Sequence, residues 1–521
     1  VRLTQTLLLF LAVSAGGPWS PVQAAALPEL PRATVDTTIV PPSGRRINVP
    51  AGGDLQGAID KARGGDVLLL EAGATYQGVT LPHKPDAGWI TIRTSTPDPV
   101  FPAPGTRVGP QHAHLMARIV GSPAVAAAPR AHHYRLIGIA MAPRAGEFAY
   151  NLVQFGAAER GIEHQPHHLI IDRCYLRGDP TKGTRRGVAL NSRAAAVIDS
   201  HLAEFKEAGA DSQAIAGWNG AGPYKIANNY LEGAGENVMF GGADPVIKGL
   251  VPADIEIQGN HFAKPVSWRP TDPSFEGTRW LVKNLFELKN ARRVLVSENF
   301  FERSWSGWAI LFTVRNQDGA AAWSTIEDVT FTNNVVQKTG GGINILGLDD
   351  VHPSERVKRI LIKDNLFGID AARWGGRAWL FLTLRGVVDL VIEHNTAIGP
   401  GSIVFAEGEP VEGFVFRNNL IVSAHGFNGT DTEGGQSTLR RYFPGGVVVK
   451  NVFAGLSAEQ VARHPKDNVY LGGIDQVGFV DPGRGDYRLA PSSRLKRGGR
   501  DGKDVGADIP GLVAAAAARQ R

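Results

Sequence analysis

The chain reads as an all-β protein: a single-stranded right-handed parallel β-helix, a solenoid of about ten or more coils with a short N-terminal capping helix. Three observations predict it. One phrase recurs through most of the 521 residues: alternating β-branched or aromatic residues, two polar ones, an Asn, then a hydrophobe two places on. Its copies return with a mean period of about 31 residues, the span of one solenoid coil. Between them lie other short apolar strands and few helical stretches, so a separate sheet must stack beside the first. A chain of this length would otherwise divide into two or three cores; the repeat organises it as one.

In chain order, Val1-Arg2, the apolar run from Leu7 to Ala15 and Val22-Gln23-Ala24-Ala25-Ala26 have the charge, apolar centre and small-residue cleavage site of a secretory signal. Residues 1–26 are therefore set aside as a signal peptide. The run is shorter than the ~20 residues of a bilayer span. A soluble, secreted or periplasmic monomer without a transmembrane segment is expected, with residues 27–510 forming the β-helix domain. Asp54 can cap a helix whose Leu55, Ala58, Ile59 and Ala62 share one face, so about 45–65 form an N-terminal lid over the open core. About 97–131, rich in Pro, Gly and Ala, interrupt the repeat and read as an irregular surface loop.

The repeat proper runs Ile226…Asn229…Leu231, Ile257…Asn260…Phe262, Val296…Asn299…Phe301, Phe331…Asn334…Val336, Ile362…Asn365…Phe367, Ile392…Asn395…Ala397 and Phe416…Asn419…Ile421. Weaker copies are anchored at Cys174, His201 and Asn451. At a coil corner a residue must accept a left-handed backbone and keep its buried amide paired. Asn does both, bonding to its counterpart ~4.8 Å away on the next coil. Ten equivalent positions make a ladder, not a catalytic site. Cys174 is the only cysteine, so no intrachain disulfide forms, and at a ladder position it is a small buried side chain. The tail, about 478–510, is expected to close the far end, and 511–521 to fray.

The 55 basic and 50 acidic residues leave a net charge of +5 without a Lys/Arg block, which excludes a nucleic-acid binder and suits an acidic glycan. Long loops in the middle of the repeat are where a rigid scaffold carries function. There, in Lys283-Asn284-Leu285-Phe286-Glu287-Leu288-Lys289-Asn290, alternation sends Phe286 and Leu288 inward and Lys283, Glu287 and Lys289 outward. One coil on, Phe312 and Val314 point inward and Arg315 outward. In register, Lys289 and Arg315 lie about 5 Å apart. Two such cations either share a carboxylate, for which Glu287 is placed, or bind an anion.

The corresponding chemistry is β-elimination on a uronate, which needs the carboxylate neutralised, a base for the C5 proton and help for the leaving oxygen. Lys289 is the candidate base and Arg315 its partner. Trp379, Phe381 and Arg385 alternate outward on one strand, and Trp305, Trp308 and Trp323 sit in the long-loop region; aromatic faces beside cations suit an acidic oligosaccharide. Folding back of the loops would bury them instead. His132-His133 and His167-His168 are adjacent pairs whose members should face opposite ways, so no ligand role is assigned to them. Asp349-Asp350 is the acidic pair at a strand end that glycoside hydrolysis would use, but no Asn-Thr-Asp or Gly-His-Gly phrase accompanies it.

Lys289, ten residues before Asn299, followed on the next coil by Val314-Arg315-Asn316-Gln317-Asp318-Gly319, resembles the catalytic strands of the alginate lyase and chondroitinase B type of polysaccharide lyases. The resemblance is local, covering about forty residues. It implies a Lys base, an Arg partner and calcium held by acids and an Asn near the Lys. Here Val282-Lys283-Asn284 stands where acids belong, leaving Glu287 or Asn237 to contribute oxygen. More broadly, Gly235 to Gly242, Lys283 to Arg293 and Gly342 to Gly347 resemble bacterial secreted right-handed parallel β-helix repeat proteins. The expectation is a carbohydrate-active protein, a lyase cleaving uronate glycans, with Lys283, Glu287, Asn237, Trp379, Phe381 and Arg385 binding substrate. Two alternatives stand beside it: a non-catalytic glycan-binding or envelope β-helix, and a polygalacturonase-like hydrolase.

Overall fold

The structure, a computed structural model, describes residues 25–86 and 88–512. The signal peptide expected over 1–26 lies almost wholly outside the described residues, as does most of the 511–521 tail.

Each coil holds three short strands. A 14-stranded sheet, from Arg46–Val49 to Val447–Val449, takes one strand per coil and forms face one. A 24-stranded sheet takes the other strands of the coils, and Phe479–Asp481 and Asp486–Leu489 pair apart as a two-stranded antiparallel sheet. Within it, strands that follow the Asn ladder, such as Tyr230–Gly233, His261–Ala263 and Phe300–Ser304, form face two. Gln213–Gly217, Glu236–Phe240, Phe286–Leu288, Ile310–Thr313, Ile343–Leu346 and Trp379–Leu384 form face three. The sequence pattern separated face three correctly and left face two implicit.

Parallel stacking places like residues over like. Ile255, Val294, Val329, Ile360 and Leu390 follow one another in register on face one, all fully buried. Phe262 and Phe301 stack at 4.3 Å inside the cylinder. Each such side chain contributes roughly 1.5–3 kcal/mol by leaving water, which supplies the stability that the lone Cys174 cannot.

The ladder forms as expected in its bonding. The backbone N–H and Nδ2 of Asn260 both donate to Asn299 Oδ1, at 2.9 and 3.0 Å, and Nδ2 also donates to Ile226 O at 2.8 Å. The pattern continues through Asn334, Asn365, Asn395, Asn419 and Asn451 to Asn468, a member the repeat phrase did not reveal. Cys174 and Ser200 extend it upstream. Two expectations are corrected. The weak member is Ser200, not His201, because Val197 rather than Ile198 aligns with Ile226. The left-handed residue is the one before the ladder residue: Asn228, Glu298, Asn333, Asp364, His394, Asn418 and Lys450 all have φ between 52° and 59°. The turn is made there, so the Asn that follows can point inward.

The N-terminal lid is as predicted. Asp54 accepts from Gly57 N, and Leu55 and Ile59 of the helix Leu55–Lys61 enter the core. The 97–131 segment is not all loop. It contains the strand Ala117–Ala127, which pairs on both sides across faces two and three and shifts register beside Gly78. Its Ala and Gly content, which suggested a loop, lets the strand bend around the corner without a bulky side chain. The tail does not close the end either. Leu495 and Val505 pack with Leu420 and Val452 on the outside of the last coils, and Gly506 N donates to Asn418 O. The core end is covered by Tyr442 and Phe443 at the helix Gln436–Tyr442.

A strap of residues 29–38 crosses the outside of face one. Glu29 N donates to Asp328, Arg32 N to Asp254 and Thr34 Oγ1 to Glu256, while Arg135 donates to the carbonyls of Thr37 and Thr38.

Candidate functional site

On face three Phe286 and Leu288 point inward, so Glu287 between them points out, at 3% exposed. Its neighbours cover it. Thr313 Oγ1, one coil on, donates to Glu287 Oε1 at 2.9 Å, and Lys289 Nζ stands 3.8 Å from the same oxygen. Lys283 Nζ lies 4.0 Å from Oε2 and pairs at 2.7 Å with both Asp211 and Glu236. Gln213 completes the chain by donating to Glu236 Oε2 at 2.7 Å. Charged groups from three successive coils, with the Thr313 hydroxyl from a fourth, thus meet on one floor.

The electrostatics set Lys283 and Glu287 apart. Burial pulls the Lys283 ammonium down, but Glu236, Glu287 and Asp211 outweigh it and hold the group well above its ordinary range. Lys283 is a fixed cation. Burial pushes the Glu287 carboxyl above the usual carboxylate range; Lys289 and Lys283 oppose the shift and Glu236 reinforces it.

Beneath the floor, the fully buried Lys264 donates to the carbonyls of Gly233, Ala234 and Gly235 and to Asn237 Oδ1. Asn237 spends its Nδ2 on Leu231 O and Ala263 O. Its expected place in substrate contact is corrected: the side chain is fully buried inside the corner and braces it. These bonds also decide the fit of calcium, which takes 6–8 oxygen ligands. The oxygens of Glu236 and Asn237 already receive the ammonium groups of Lys283 and Lys264, so the donor set does not fit a calcium ion.

Arg315 is only half where the sequence put it. Its backbone N donates to Lys289 O at 2.9 Å, so the two strands are adjacent as expected. Its Nη1, however, binds Asp349 at 2.9 Å and also Asp350, on the following coil. The guanidinium therefore turns away from Lys289. Its Nε and Nη2 have no hydrogen-bond partner among the described residues. Asp349 also accepts from Asn316 N and Val351 N. Burial raises that carboxyl, but these bonds and Arg315 hold it below the usual range, and it braces the corner. Arg385 joins this corner through Asp349 O.

The outward row of the floor runs in register from Met239 through Glu287, Leu311, Asn344 and Leu382 to Phe405. Trp379, half-buried, stacks on Phe405 at 4.2 Å with Arg377 above it. Phe381 is a correction. It lies in the core, aligned with Ile343 and Val404; Leu380 before it is in the core as well, so the alternation breaks at the coil corner after Trp379, just as Leu285 and Phe286 both turn inward at the same corner. Leu382 takes the outer place. Trp323 is tied by Nε1 to Leu250 O, and Trp305 packs beside Trp268 and Trp280, so the long loops do fold back over those rings. Alternation found Lys283, Glu287 and Lys289; Asp211, Gln213, Glu236 and Thr313 become visible only with the register between coils.

No sequence-family model matches the chain, nor does any curated protein sequence. Solved structures do. The PL6 family alginate lyase AlyGC gives a TM-score of 0.53 at 16% identity, over 82% of this chain and 53% of that one, so this chain spans about half its length. The shared fold is the right-handed parallel β-helix. A mannuronic acid specific family 6 polysaccharide lyase from human gut microbiota gives 0.51 at 14%, over 82% of this chain and 91% of that one. The catalytic unit of a thermostable GH87 α-1,3-glucanase from Streptomyces thermodiastaticus strain HF3-3 gives 0.50 at 13%, over 76% and 69%.

Proposed function

We propose that this is an exported carbohydrate-active protein whose face three binds an acidic polysaccharide and cleaves it by β-elimination. The observation that carries the reading is the pairing at Glu287 of a fixed cation, Lys283, with a second lysine, Lys289. In this reading Lys283 and the free N–H groups of Arg315 attract the uronate carboxylate. Lys289, as the amine, takes the C5 proton; the electron pair forms the C4–C5 double bond, the C4–O bond breaks, and the leaving oxygen is protonated by the new lysinium or by water. Trp379 and Leu382 extend the floor as an apolar platform for sugar rings. The fold shared with two lyases that act on acidic glycans is compatible with this assignment.

Since ammonium groups occupy the oxygens that calcium would need, activity is expected to be unchanged by EDTA. The test is incubation with alginate, polygalacturonate and glycosaminoglycans while following the ultraviolet absorbance of the unsaturated uronate. Lys289→Ala should cost at least ~100-fold in rate, the lower end of what a positioned base supplies. The turning away of Arg315 favours a second reading, a glycan-binding β-helix without catalysis. Retention on a glycan column with no absorbance change on any substrate would establish that reading and overturn the lyase.

A further inference from the structure

Away from face three, the outside of face one carries four histidines in a block. His132 and His167 are paired in register at the starts of His132–Ile137 and His167–Asp172. The alternation that should separate each adjacent pair fails, because His133 and His168 have φ of 57° and 53°. A left-handed residue at the strand start turns both neighbouring side chains to the same side, which overturns the expectation that the members face opposite ways. His132 stacks on His167 at 4.9 Å and His133 on His168 at 4.5 Å, with planes within 8°. Trp89 closes one flank with its ring 5.2 Å from that of His133.

The nitrogens converge. His133, His167 and His168 each offer a ring nitrogen, all within 4.8 Å of one another. Nδ1 of His167 lies 2.7 Å from Nδ1 of His168, and the His132–His133 pair repeats this at 2.9 Å. His132 Nε2 meets Lys84 O at 2.9 Å, which makes Nε2 the protonated nitrogen and leaves the Nδ1 lone pair aimed at His133. Two nitrogens each ~2.05 Å from a metal are about 2.9 Å apart at a right angle and about 3.3 Å apart at a tetrahedral angle. The observed separations match the right angle, the geometry of a square-based copper(II) or nickel(II) site.

We propose that His133, His167 and His168, flanked by His132, form a binding site for a divalent late transition metal, copper(II) best. The charged groups facing the block are Arg193, in register with His167, and Lys84, whose ammonium is turned to Asp60 O. Arg193 tempers affinity without blocking the lone pairs.

The test uses the chain from residue 27 onward without a polyhistidine tag, titrated separately with copper(II), nickel(II) and zinc(II) salts. One equivalent of copper should bind, with nitrogen hyperfine splitting from imidazole in the electron paramagnetic resonance spectrum. His168→Ala and His133→Ala should each weaken binding at least tenfold, and the remote His114→Ala should not. Zinc should bind more weakly than copper. If the alanine variants do not fold, His133→Gln and His168→Gln, which keep the bulk and lose the imidazole nitrogens, should show the same loss. Copper retained at full affinity by the His133→Ala/His168→Ala pair, or by the corresponding Gln pair, overturns the proposal.

Discussion

At the scale of the residue, the ladder shows how much depends on a single amide. Asn299 Oδ1 receives two donors from Asn260, and its own Nδ2 reaches Ile257 O and Asn334 Oδ1. Asn299→Ala strands buried groups on two neighbours and should cost about 3 kcal/mol, read as a lower denaturant midpoint at unchanged slope. Glu302 makes a second residue-scale prediction. Burial pushes its carboxyl up, but His261, Lys338 and Arg303 outweigh this and hold it at about 2. A folded value below the unfolded ~4.3 means that stability is fully present above pH 4.3 and is lost as pH falls toward 2. The loss is on the order of 2–3 kcal/mol. Acid unfolding curves should show this limb, and Glu302→Gln should flatten it.

At the scale of the element, what the sequence disclosed and what it hid follow from which energies depend on side-chain identity. The Asn column was legible because a buried amide has few substitutes. The left-handed position before it was not, because its side chain is not confined to the core and Arg173, Glu298 and Lys450 all serve there. The outward run of Lys283, Glu287 and Lys289 followed from alternation within one strand. The diversion of Arg315 did not, since Asp349 and Asp350 arrive more than thirty residues later. Phe381 shows the same limit, as a coil corner that sends Leu380 and Phe381 both inward breaks the alternation without any mark in composition. Two substitutions separate the pattern from the structure. Phe381→Ala should cost roughly 3–5 kcal/mol as a core truncation. Leu382→Ala, at the outer place although only 8% exposed, should cost less than Phe381→Ala and weaken retention on an acidic glycan column. The reverse outcome would place Phe381 in the groove.

At the scale of the whole molecule, stability is nearly a sum over neighbouring coils, since each strand of the parallel sheets contacts its counterparts above and below. Segments that run along the stack break that rule, among them the tail on the flank of the last coils, the strap across face one and residues 105–108, which bond to Asp199, Asn228 and Gly259. Val35 of the strap packs on Ile170, Ala196 and Ile198. Removing residues 27–40 should therefore lower the melting temperature, by an amount matching about 2 kcal/mol for the lost apolar contact alone.

The strap also has a temporal meaning. Glu29 must find Asp328, 299 residues further along the chain. A chain that emerges from its N terminus, whether from a ribosome or through a membrane pore, offers the strap before the surface that receives it exists. Thr37, Thr38 and Val35 can seat as soon as the coils of Arg135 and Ile170 close, yet the end at Glu29 cannot seat until the coil of Asp328 is complete. The first part made is thus among the last to settle. Chains truncated before residue 326 should carry a protease-sensitive leading segment that the full chain protects.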